Sequence, residues 1–291
     1  MFNWPIKLRQ QTEFCIPKGP SFKFSGKVFF SIGGTKISLR APRHSFASPI
    51  EAIRPHNIND LNDLRMRPWG QDKEEWLFEG FFLRQWKFYG PWFSGYKGNL
   101  TLDITLITRN DESDSASLFR PKVFENAISD HLKMIYSDDI YEGAQEWLVP
   151  VEWKAVTTWS CVAATFYAKP NSKVPGNHSP SRYFVLPVSD KHMIRMCFDL
   201  RRDCAGRQEE QDKEVGMAEI EQLSTDIMNS IQIELSPEAL AQNAKALEGV
   251  ENTQLSENFP PLKWTTPEQD AEHERYLQEE LRIQEILNKK S

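Results

Sequence analysis

Two periodicities organise the chain. Leu100, Leu102, Ile104 and Leu106 alternate with polar residues, which places them on one face of a β-strand. Ahead of them lies an aromatic run containing Trp69, Trp76, Phe78, Phe81, Phe82, Trp86, Phe88, Tyr89, Trp92, Phe93 and Tyr96. The run reads as a second strand, joined to the first through a turn over Gly90 to Gly98. A further hairpin is predicted at 27–32 and 35–40, where Gly33-Gly34 can supply the positive φ angles of a two-residue turn. Strands are also expected at 146–154, 156–168, 182–188 and 192–200.

The three-to-four-residue period appears elsewhere. Phe124, Ile128, Leu132 and Ile135 follow Pro121, predicting a helix over 121–136 that covers a sheet. Ala218, Ile220, Leu223, Ile227 and Ile231 predict a second helix over 214–230, leaving 231–235 as a short strand. Ser236-Pro237-Glu238 carries an N-cap serine and a first-turn proline. Thr266-Pro267-Glu268-Gln269 repeats the signal as a capping box. The helix from Pro267 to Lys290 is mostly charged. Tyr276, Leu277, Leu281, Ile283, Ile286 and Leu287 form a stripe suited to a surface or to another chain.

Between these elements, residues 41–73 hold Pro42, Pro49, Pro55 and Pro68, which remove donors and fix φ. A loop of that length marks a candidate binding segment. The expected fold class is α+β: antiparallel sheet dominating residues 22–200, covered by two helices, with an acidic helical C-terminal extension. A body over 1–235, divisible into β sections 1–116 and 117–235, would precede an extension over 236–291.

The hydrophobic fraction of 40% and charged fraction of 26% in 291 residues are those of a globular chain. No apolar run approaches the ~18–20 residues of a membrane-spanning helix. Met1 to Arg9 lacks the apolar stretch of a secretory leader. These features suggest a cytoplasmic protein, or a periplasmic one if a leader has been removed. The net charge of −6 is uneven: Ala205 to Ser291 holds 19 acidic and 8 basic residues, against 22 and 27 before it. An acidic C-terminal third argues against nucleic acid as the ligand. Arg40, Arg43, Arg54, Arg65 and Arg67 form a basic region with no nucleic-acid-reading motif beside it.

Candidate chemistry is sparse. Cys15, Cys161, Cys197 and Cys204 form no close pair, and Cys161 and Cys197 fall in apolar patterns where a thiol is buried and inert. No histidine spacing matches a metal motif, so neither metal nor organic cofactor is expected. G-x-S-x-G is absent around Ser94, and Gly33-Gly34 is not followed by a phosphate-loop lysine. A hydrolase would have to assemble in three dimensions from residues such as His192, Cys161, Asp190 and Glu146.

The strand from Tyr183, the strand from His192, a long helix and then Asn229 to Ile233 resemble in pattern the end of Mog1/PsbP-like α+β domains. Some of these serve as bacterial immunity proteins or effector chaperones of type VI or contact-dependent secretion. The resemblance implies a protein-binding protein whose partner is a toxin, an effector or a complex subunit. Trp92, Phe93 and Tyr96 at the turn, and Tyr276, Leu277 and Leu281 on the last helix, are the candidate partner contacts. Homo-oligomerisation through that helix is the companion expectation, as is a structural subunit docked by it.

Overall fold

The structure, a computed structural model, describes residues 14–61, 66–68, 75–91, 94–110, 116–157, 159–174, 178–206 and 208–288. Its strands and helices make an α+β fold with antiparallel sheets. Two strands come first, β1 (Gly26–Ile32) and β2 (Thr35–Ala41), joined at Gly33 and Gly34 with φ of 53° and 79°. Two consecutive positive φ values are what a tight hairpin turn demands, and a Cβ would oppose both. A two-residue β3 (Arg67–Pro68) precedes the long strands β4 (Trp76–Tyr89) and β5 (Tyr96–Arg109). Helix α1 spans Pro121–Tyr136, the expected range, and is followed by the small hairpin of β6 (Ile140–Tyr141) and β7 (Ala144–Gln145). Next come β8 (Trp147–Ala155), β9 (Ala164–Pro170), β10 (Ser181–Pro187) and β11 (His192–Arg202). The chain closes with α2 (Gln208–Glu214), α3 (Ala218–Asn229), β12 (Gln232–Glu234), α4 (Pro237–Leu247) and α5 (Pro267–Asn288).

Seven strands form one sheet in the order β3-β4-β5-β11-β10-β9-β8, so both β sections of the sequence join a single sheet through the β5–β11 pair. A separate three-stranded sheet has the order β1-β2-β12. The large sheet buries both faces. On one, Trp86, Leu100, Leu102, Ile104, Leu106, Ile194, Met196 and Phe198 join a core with β1, β2 and α3. On the other, Ile107, Met193, Tyr183, Val185 and Phe166 meet α1 through Phe124, Ile128 and Leu132. Residues after β12 contribute to both: Ala239 and Ala246 to the first core, and Leu255 to the second, with Phe259, Leu262 and Trp264 packed against it.

Two expectations need correction. The helix expected over 214–230 starts only at Ala218, because Val215 leaves helical geometry to bridge Cys15, and the shorter α2 precedes it and ends at Glu214. Cys15 N–H donates to Glu214 O and Gly216 N–H to Cys15 O, both at 2.9 Å. The strand expected over 156–168 starts only at Ala164, since Val156 N–H donates to Ala163 O at 2.8 Å and closes a loop between them.

The proline-rich stretch after β2 runs along the outer edge of β4. Ser45 N–H donates to Gln85 O at 3.0 Å, and Ile53 and Leu83 exchange both backbone bonds at 3.1 and 3.2 Å. An exposed edge strand would template another chain, and these segments close it. Trp86, buried under them, donates from Nε1 to Pro42 O at 3.2 Å. Among the described residues, no helix is long and apolar enough to cross a membrane.

Candidate interaction site

Helix α5 begins as its sequence dictates. Gln269 N–H donates to Thr266 Oγ1 at 3.3 Å and Thr266 N–H donates to Gln269 Oε1 at 2.9 Å, a reciprocal capping box. Its first turns dock on the β6–β7 hairpin. That hairpin turns at Glu142 and Gly143, with φ of 46° and 80°. Gly143 also permits the approach itself, since a Cβ there would lie 2.1 Å from Gln269 O. His273, 8% exposed, donates from Nδ1 to Glu142 O at 3.1 Å, which sets the ring proton on Nδ1. Its ring stacks on Tyr276, centroids 6.2 Å apart, and Tyr276 meets Tyr141 edge-on at 6.0 Å.

One turn further on, the environment changes. Tyr276 and Leu277 are half-buried, whereas Leu281 is 61%, Ile283 50% and Ile286 45% exposed. The structure therefore brings Tyr276 and Leu277 to the body and carries Leu281 away from it. Exposed apolar residues gathered on one helix are an unspent hydrophobic surface.

Tyr96 sits at the start of β5, half-buried. It accepts from Asn99 Nδ2, meets Tyr89 edge-on at 6.3 Å and lies under Lys87 Nζ at 5.0 Å. These contacts tie it to the β4–β5 hairpin. Trp92 and Phe93 lie outside the described residues.

The residues proposed for a hydrolase stay apart. His192 Nδ1 bonds Ser189 Oγ at 2.9 Å, and Glu146 pairs with Nε2 of His178 at 2.8 Å. The Asp190 backbone is held by Leu118 and Gln242, while Cys161 is buried in the first core. Among the described residues, no hydrogen bond or ion pair joins any two of the four. Burial pushes the Cys161 thiol up to about 12, so it stays protonated and weakly nucleophilic. Burial, aided by Lys191, lowers His192 to about 4.

Sequence reasoning missed a polar cluster on the α1-covered face. Arg195 Nη2 donates to Asp103 Oδ2 at 2.7 Å, and Thr105 Oγ1 to the same oxygen at 2.9 Å. The hydroxyls of Tyr136 and Tyr183 share a hydrogen bond, while Cys197 Sγ and Ser181 Oγ donate to Asp199 Oδ1 at 3.5 and 2.6 Å. Burial first, then neighbouring acidic groups, keep the Cys197 thiol and the Tyr183 phenol well above their usual range. Burial and Arg195 hold His131 well below its own. The Cys197 thiol, the two phenols and the His131 imidazole are thus held in their neutral forms beside the Arg195–Asp103 ion pair, which suits a structural polar core. The signal was a charge inside an apolar strand, Arg195 between Ile194 and Met196, opposite the alternating Thr101, Asp103 and Thr105.

No group of three or more His, Cys, Asp or Glu that could hold a metal occurs among the described residues. No family model, curated protein or solved structure matches the chain.

Proposed function

We propose that this chain is a non-catalytic protein-binding protein whose α+β body presents the outer half of α5 to another protein. The carrying observation is the split along that helix: His273 and Tyr276 anchor it, while Leu281, Ile283 and Ile286 face solvent. A helix whose acidic residues keep it wet offers these exposed apolar side chains to a groove or to another helix. The finer reading is an immunity protein, or a chaperone or adaptor, for a bacterial toxin or secreted effector. It rests on the resemblance over residues 183–233, and a cytoplasmic or periplasmic setting goes with it. The acidic helical extension belongs to the same proposal, the outer half of α5 being the part of it that engages the partner.

The test is sedimentation velocity of the full chain, alone and mixed with the product of the adjacent gene. It is compared with a variant carrying Leu281→Glu, Ile283→Glu and Ile286→Glu. The parent should form a complex, with that product or with itself, and the variant should remain a monomer with an unchanged melting midpoint. A parent that forms no complex, or a variant that assembles as well as the parent, overturns the reading.

A further inference from the structure

The sheet edges of this protein are treated unequally. The outer edge of β4 is taken by Ser45, Ile53 and Lys18, the last exchanging backbone bonds with Tyr89 at 2.8 and 3.0 Å. The outer edge of β8 is interrupted by Pro150, which has no N–H, and its Val149 carbonyl accepts from Leu262 N–H at 2.8 Å. Strand β12 is three residues long and ends in Glu234. These are the usual defences of an edge.

Strand β1 is defended over only half its length. On the side away from β2, Ser31 N–H donates to Asn57 Oδ1 at 2.9 Å, Ser31 O accepts from Ile58 N–H at 2.8 Å, and Gly33 N–H donates to Ile58 O at 2.8 Å. Backbone direction alternates every residue along a strand, so Phe29 and Lys27 point their N–H and C=O groups to that same side. Among the described residues, nothing pairs with them there. Their side chains lie on the outer face of the small sheet, where Lys27 stands opposite Arg40. Phe29 is 60% exposed with Lys27 Nζ 4.7 Å above its ring, and nearby Phe24 is 81% exposed. Farther from the edge, Lys36 is already matched by Glu234 at 3.0 Å. Lys27 and Arg40 leave the free edge positive, beside exposed aromatic surface.

The geometry points to the open half of β1, from Lys27 to Phe29, as a strand-addition site for an extended acidic segment of another protein. Main-chain bonds to Lys27 and Phe29 supply the pairing. The partner's carboxylates lie against Lys27 and Arg40, and its alternate apolar side chains lie on Phe29. A second copy of this chain fits less well, because pairing β1 with β1 sets two positive edges, each carrying Lys27 and Arg40, against each other. The site lies on a different sheet from α5 and does not rest on the helix reading.

Two labelled, capped peptides test it, one alternating glutamate and valine and the other lysine and valine, each titrated against the full chain by fluorescence anisotropy. The glutamate peptide should bind and slow amide exchange at Phe29, and the lysine peptide should not bind. Lys27→Glu should weaken the glutamate peptide about tenfold or more while leaving the melting midpoint unchanged. Phe29→Pro removes an outward N–H that takes no bond among the described residues, and should abolish binding. Equal affinity for the two peptides, no binding of either, or a Lys27→Glu variant that binds as the parent does would overturn the proposal. Self-association of the parent that Phe29→Pro removes would assign the edge to a second copy and overturn it as well. Because these variants leave Leu281, Ile283 and Ile286 intact, failure here leaves the α5 reading standing.

Discussion

Helices α1 and α5 are the two longest in the protein and meet opposite fates. The first buries Phe124, Ala127, Ile128, His131, Leu132 and Tyr136 against the seven-stranded sheet. The second, six residues longer, buries His273 alone among its described side chains. Both have good caps or first turns, so local helix formation does not separate them. What differs is where the apolar residues recur. In α1 they return every three or four positions over the full length, and one continuous face enters the core. In α5 they cluster late and spread around the axis, so the docked turns rely on a histidine hydrogen bond and ring contacts instead.

The largest expected effect lies in α1. Phe124→Ala removes a fully buried ring from the second core and should destabilise the protein by ~3–5 kcal/mol in urea denaturation. Leu281→Ala should stay within about 0.5 kcal/mol, as surface positions do. If the two variants proved equally stable, the contrast between the helices would be lost.

Acid gives the next effect. His131 in α1 and His192 at the start of β11 both titrate below their ordinary range in the folded state, burial being the main cause. The unfolded chain then takes up protons that the folded one refuses. Stability from these groups is full above about pH 6.5 and declines as pH falls toward about 4, where His192 titrates in the fold. For His192 alone the loss is on the order of 3 kcal/mol. Denaturation midpoints measured between those pH values should fall, and His192→Gln should flatten the slope. A flat profile in the parent would show that these rings are solvated.

How much of this was legible follows from which contacts are local. Helix α1 could be read to the residue, because Pro121 and the Phe124–Ile128–Leu132 period are properties of one segment. The β1–β2 hairpin was equally open, through Gly33-Gly34. The break at Val215 was not, since it depends on Cys15, which lies far away in the chain. The edge-covering role of the proline-rich loop depends on Gln85 and Leu83 in the same way. The late apolar residues of α5 were visible, but not their division into docked and free halves, which rests on Gly143 and Glu142 in a distant hairpin. The half-open edge of β1 had no signature at all, because an N–H without a partner among the described residues shows only once the neighbouring segments are placed.

The smallest expected effect cuts closest to function. Ending the chain after Leu277 keeps the capping box, the His273 bond to Glu142 and the Tyr276 contact with Tyr141, and removes only the outer turns of α5. Because Leu281, Ile283 and Ile286 are all at least 45% exposed, their removal should change unfolding free energy by no more than about 0.5 kcal/mol. Ending the chain before Thr266 also removes the docked turns, and should cost more and loosen the β6–β7 hairpin, seen as faster amide exchange at Ala144. Two truncations that behave alike would mean that the helix acts as one unit. A marked loss on the shorter cut would place Leu281, Ile283 and Ile286 among the residues that hold the body together. The outer half of α5 would then be core, and no longer a surface kept for a partner.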